Sequence, residues 1–453
     1  MPKLLFADAS GRVFEHPTLL ATARSGANVL FPEERPIPLP KHARLAHLPG
    51  RLPVGFDPKT RQLTLLSSYQ DGRKTFIPHA VGAVLPPGYT RTLLPGEVKG
   101  DGPTLPQWAY TAAGWAGGQA VVWAVKTDRR QHWDPDDYNT KDLRGRVAKR
   151  LAASPDNSVL AQLKTCALVY RCFTSQNVFY GRDEAALPAS TMCNARCVGC
   201  ISEQPEDGPP ASHARIDLGP TVEALTEVAV KHLKEAPGEP HDRRMVSFGQ
   251  GCEGEPLTRW RVLAAAITAI RQQTSRGSIN INTNASLPQG LAALFDAGLD
   301  AVRVSLNSAH APLYEAYYKP VHYGWNDVEA SVALARERGG YVALNLLTFP
   351  GVTDQEREFE ALLRLVQRYR VDQIQTRSLA IDPAQYLEVA LPHAAGGRPL
   401  GMKRWLSVLQ AKAPWLRIGN FARGRGERAP PGALPRRASR GRVGAPTLHA
   451  HRS

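Results

Sequence analysis

Cys193-Asn-Ala-Arg-Cys197-Val-Gly-Cys200 places three thiols within eight residues, spaced by three and then two positions. Such a loop can wrap one soft metal centre, because thiolates match zinc and iron–sulfur clusters. Structural zinc takes four ligands and often joins two CxxC units, and no second pair accompanies this triad. A four-iron cluster held by three cysteines leaves one iron without a thiolate and open to a small molecule. The spacing therefore favours iron–sulfur while leaving zinc open. The other thiols read differently. Cys166 and Cys172, six apart on a predicted helix, lie about 120° apart in projection and read as core. Cys252 reads as a packed small side chain.

Outward from the triad, short apolar runs alternate with amphipathic stretches. Strands are predicted at 187–191, 245–249, 278–283, 301–306, 341–348 and 373–379, and helices at 220–235, 257–273, 288–297, 327–338 and 354–369. The first helix carries Val222, Leu225, Ala229 and Leu233 on one stripe, with Pro220 suited to its first turn. Strands and helices in strict alternation predict a parallel sheet, open or closed into a barrel, with ligands at its carboxyl edge. The triad follows the first strand, at that edge.

The segment 185–379 resembles the radical S-adenosylmethionine (radical SAM) superfamily, whose hallmark is a CxxxCxxC loop after the first strand of a partial βα barrel. Further motifs stand in the family's order: Gly254-Glu255-Pro256 after strand two, Asn282-Thr-Asn284 ending strand three, Val304-Ser-Leu-Asn-Ser308 in strand four and Asn345-Leu-Leu-Thr-Phe-Pro-Gly351 in strand five. The resemblance implies an α/β fold with a (β/α)6-like partial TIM barrel core. It also implies a [4Fe-4S] cluster and S-adenosyl-L-methionine (SAM) as cofactors, and an external one-electron donor such as flavodoxin or ferredoxin. Reductive cleavage of SAM to methionine and a 5′-deoxyadenosyl radical would then remove hydrogen from an unidentified substrate. Carried over by position, Cys193, Cys197 and Cys200 ligate iron, and Gly254 and Glu255 face the SAM amine mainly through backbone oxygens. Ser305 and Asn307 are candidates for the ribose or the methionine carboxylate, Asn345 for the ribose, and Asn282 and Asn284 for SAM or substrate. Glu255 also suits a helix cap, and Tyr317 and Tyr318 suit either a substrate contact or an aromatic cluster.

The remaining sequence frames this core. Residues 1–135 carry short β-like runs broken by Pro and Gly and predict a β-rich accessory domain. Residues 136–184 predict a helical connector split at Pro155, and 381–422 form an extension beyond the core at 185–380. The formal charge of +15 is uneven: the stretch 423–453 holds eight Arg and one Glu, a net +7. Its Arg, Gly, Pro and Ala composition predicts a disordered basic tail. Nucleic acid is a candidate partner for that tail, so a non-catalytic zinc- or cluster-bearing nucleic-acid-binding protein is the alternative from another class. The uncharged run 102–125 is interrupted by Pro, Gly and Gln, and reads as two short segments and a turn rather than a membrane span. Few cysteines and no export signal predict a reducing cytoplasm.

Overall fold

A computed structural model of the chain describes residues 1–129, 133–217, 219–234 and 243–428. Its centre is a seven-stranded parallel sheet in sequence order: β1 (Glu184–Leu187), β2 (Met245–Phe248), β3 (Ser278–Thr283), β4 (Ala301–Leu306), β5 (Tyr341–Thr348), β6 (Gln373–Ser378) and β7 (Arg417–Gly419). Each strand pairs only with its sequence neighbours, so the sheet is a half-barrel. Alternate residues divide the work. Ile279, Ile281, Val302, Val304, Leu344 and Leu346 are fully or almost fully buried on one face. Leu225, Leu263, Ile267, Leu291 and Val332 of the helices join the same apolar core, each such side chain contributing about 1.5–3 kcal/mol. The opposite positions are polar and meet in the lumen. Ser247 Oγ donates to Glu184 at 2.6 Å, Asn280 Nδ2 to Ser247 Oγ at 3.1 Å, and Arg303 Nη2 lies 3.0 Å from Glu184.

Three of the predicted strands, 278–283, 301–306 and 341–348, coincide with the observed ones. The first does not: it spans Glu184–Leu187, and the predicted 187–191 is mostly loop. The reason is hydrogen bonding, since the amides of Ala189 and Ser190 are held by the Glu253 carboxylate instead of a neighbouring strand. The sheet also runs past the predicted end of the core at 380. The seventh strand, three residues long, is too short to show a period.

Residues 3–126 build antiparallel sheets, the largest of ten strands. Within the run 102–125, strands Thr111–Ala116 and Gln119–Val122 form a hairpin whose turn residues Gly117 and Gly118 both have positive φ. That is the geometry a two-residue hairpin loop requires. Among the described residues no helix is long and apolar enough to cross a membrane. These sheets dock on the carboxyl ends of β5 and β6. Thr90 Oγ1 meets Thr376 Oγ1 at 2.7 Å, Arg91 Nη2 donates to Leu379 O at 2.8 Å, and buried Arg51 pairs with Asp382. Gly26 N donates to Pro350 O at 2.9 Å, so closely that a Cβ on Gly351 would lie 1.8 Å from Gly26 N.

The connector forms helices Leu143–Ala152, Ser158–Leu168 and Phe173–Tyr180. Gly145 sits exposed inside the first, with nothing within 4 Å of a built Cβ. Gly145→Ala should therefore stabilise the protein by about 0.5–1 kcal/mol through helix propensity, read as a raised midpoint in urea with an unchanged slope.

The predicted tail boundary at 423 needs correcting. Arg423 is only 8% exposed and pairs with Asp128 at 2.7 Å, while the Arg428 guanidinium lies 4.4 Å from the Tyr341 ring centre. These arginines are tied to the body by charge and stacking, neither of which composition reveals. The rest of the predicted tail, 429–453, lies outside the described residues.

Candidate active site

A cavity of about 530 Å³ opens at the carboxyl ends of the barrel strands. Cys193, Cys197, Cys200, Gly254, Glu255, Asn282, Asn284, Ser305 and Asn345 all line it, together with Tyr317 and Tyr318. Asn307 does not. It is 2% exposed, and its Nδ2 reaches Leu313 O at 3.3 Å and Tyr386 Oη at 3.5 Å. β4 ends at Leu306, so the alternation that points Ser305 into the lumen has already stopped at Asn307.

Two neighbours position the cysteine loop. On one side it runs along residues 317–321: Val198 N donates to Tyr317 O, Arg196 N to Tyr318 O and Val321 N to Asn194 O, at 2.9–3.0 Å. The two tyrosines pack with each other at 5.1 Å between ring centres and border the cavity. On the other side it meets the segment after β2, where Gly254 N donates to Ser190 O at 2.8 Å and Glu255 N to Met192 O at 2.7 Å. A Cβ at Gly254 would sit 1.9 Å from Met192 O, so only glycine fits. Asn194 Oδ1 accepts from Asn284 Nδ2 at 2.9 Å, tying the loop to the end of β3.

The two glutamates here are structural. Glu253 accepts from the amides of Ala189, Ser190 and Gln250, and Glu255 from Leu257 N at 2.9 Å, Asn284 N at 2.7 Å and Thr283 Oγ1. Burial outweighs these donors and pushes the carboxyls up, to about 8 in Glu253 and about 7 in Glu255. Glu255 is therefore a helix cap as well as a wall of the cavity. Its carbonyl already accepts from Thr258.

Cys193 is exposed and the other two are half-buried. Burial raises the thiols of Cys193 and Cys197, and neighbouring cysteine sulfurs add to the shift in both. Thiols raised in this way, as in Cys193 and Cys197, need a nearby positive centre to become thiolate ligands. Arg215 Nη2 approaches Cys200 Sγ at 3.7 Å, a contact of the kind that tunes cluster potential. Cys252 stays out of the cavity lining and pairs with Cys166, an interaction that lowers the Cys166 thiol.

Sequence reasoning missed Arg215, Arg303 and Arg377, all of which line the cavity. The signal was present for Arg303. An Arg within an otherwise apolar strand of a sheet covered by helices has only the lumen to enter.

Residues 187–365 match the family described as the Radical SAM superfamily, so this half-barrel is a radical SAM domain, of a family of enzymes that use a [4Fe-4S] cluster and SAM. No curated protein matches the chain. Among solved structures it is similar to a radical SAM methyltransferase from Sphaerobacter thermophilus, at 16% identity over 52% of this chain and 65% of that one, with a TM-score of 0.35. It is also similar to Streptococcus suis SuiB bound to precursor peptide SuiA (13%, 61% and 54%, 0.37) and to the FeFe-hydrogenase maturase HydG from Carboxydothermus hydrogenoformans (11%, 62% and 76%, 0.31). The matched region spans less than two thirds of the first two of these proteins.

Proposed function

We propose that the chain is an enzyme that cleaves SAM reductively and uses the resulting radical to take hydrogen from a substrate in the same cavity. The observation that carries this reading is the backbone pairing of Gly254 and Glu255 with Ser190 and Met192, which puts the triad and the Gly-Glu-Pro segment on one wall. Cys193, Cys197 and Cys200 would hold a [4Fe-4S] cluster. When bound, that cluster and SAM supply electron transfer and carbon–sulfur cleavage, with the electron from an external donor of flavodoxin or ferredoxin type. The protein's own residues bind and orient. The Gly254 carbonyl, which accepts no hydrogen bond among the described residues, faces the amine, while Ser305, Asn345 and Asn284 offer polar groups to SAM or substrate. The tyrosines and the apolar stem of Leu347 restrict water.

The test is anaerobic purification and reconstitution, followed by iron and sulfide analysis and incubation with dithionite and SAM. About four iron and four sulfide per chain and formation of 5′-deoxyadenosine are expected. One zinc per chain, or an iron-loaded protein that leaves SAM intact, overturns the reading.

A further inference from the structure

The lumen holds two guanidinium groups that differ in one respect. Arg303 on β4 is paired with the Glu184 carboxylate at 3.0 Å. Arg377 on β6 donates only to neutral oxygens, from Nε to Asn345 Oδ1 at 3.2 Å and from Nη2 to Gln375 Oε1 at 3.0 Å. Among the described residues it forms no ion pair. Burial pushes the Arg377 guanidinium down to about 10, the like charge of Arg303 adds to that, and the more weakly felt carboxylates of Glu184 and Asp128 oppose it. Gln375, fully buried beside it, leaves its Nε2 without a partner. Both arginines border the cavity, and Arg377 keeps accessible surface there.

An unpaired cation at a cavity wall, with amide oxygens fixing its plane, presents its remaining N–H groups to whatever enters. Arg is suited to this task because its rigid fork matches an oxyanion at two points. In the sheet Arg377 stands four strands beyond β2, whose end carries Gly254, and five beyond β1, whose end carries the cysteine loop. Its strand is thus a different one from those that lead into the cysteine loop and the Gly-Glu-Pro segment. SAM and substrate would share this cavity of about 530 Å³, which is open to solvent on one side.

We propose that Arg377 is the recognition point for a carboxylate on the substrate. This rests on the radical SAM reading of the same cavity. The methionine carboxylate of SAM is the other source of the same chemistry, and the two are separable by experiment.

Reconstituted holoprotein saturated with SAM is titrated with succinate, and with neutral succinamide at matched ionic strength, in the wild type, Arg377→Gln and Arg377→Lys. SAM and decarboxylated SAM are titrated separately into all three. Succinate binding that weakens at least tenfold in Arg377→Gln and recovers in part in Arg377→Lys, with no response to succinamide, is the expected result. SAM and decarboxylated SAM should then respond alike to the substitution. Equal succinate affinity in wild type and Arg377→Gln, or no succinate binding, overturns the proposal. So does a tenfold loss confined to SAM and absent for decarboxylated SAM, which makes Arg377 a cofactor contact. Wild-type holoprotein that binds succinate through Arg377 but yields no 5′-deoxyadenosine would sink the enzymatic reading while leaving the anion site standing.

Discussion

Cys197→Ala should reduce iron and acid-labile sulfide after reconstitution from about four per chain to less than one, and bring 5′-deoxyadenosine below detection. The effect is all-or-none for a geometric reason. Cys197 is the middle ligand, and the amides beside it, Arg196 N and Val198 N, are anchored to the carbonyls of Tyr318 and Tyr317. The loop cannot slide to recruit another thiol, and Cys166, Cys172 and Cys252 do not line the cavity. Cys172→Ser is the matched control. Cys172 precedes the helix Phe173–Tyr180 without a side-chain cap bond, so its loss should leave iron content at the wild-type level. Iron retained in Cys197→Ala, or lost equally in Cys172→Ser, would remove the assignment of the triad.

The legibility of this chain follows the length of its elements. β3, β4 and β5 are runs of six to eight residues rich in β-branched and aliphatic side chains, and such runs declare their bounds. Glu184–Leu187, with two alanines and no β-branched residue, declares nothing, and the predicted strand started three residues late. The cysteine triad was readable because ligand spacing is local. The arginines were not, because their role depends on which carboxylate each one finds: Arg303 finds Glu184, Arg423 finds Asp128, and Arg377 finds none among the described residues. The case of Asn307 is the converse. Its place in a family motif suggested the cavity, yet the strand ends one residue earlier and the side chain turns to Leu313 and Tyr386.

Gly254→Ala carries the second large effect. The new methyl carbon would stand 1.9 Å from Met192 O and 2.3 Å from Met192 C, contacts with backbone that no rotamer can relieve. The segment must retreat, and with it go the bonds from Gly254 N to Ser190 O and from Glu255 N to Met192 O. At about 1 kcal/mol each, their loss costs folding about 2 kcal/mol, a shift of a few degrees in a chain of this size. SAM meanwhile loses the displaced Gly254 carbonyl, whose hydrogen bond to a charged amine is worth about 1.5–3 kcal/mol, tenfold or more in affinity. The core does not depend on this contact, since Leu257 is buried within the apolar cluster and Glu255 remains bonded to Leu257 and Asn284. Gly254→Ala should therefore unfold cooperatively near the wild-type temperature while binding SAM at least tenfold more weakly, as measured by anaerobic equilibrium dialysis. Gly145→Ala, a glycine replaced where there is room, should bind SAM as the wild type does. If Gly254→Ala bound SAM normally, the wall that joins the triad to the Gly-Glu-Pro segment would have no part in holding the cofactor.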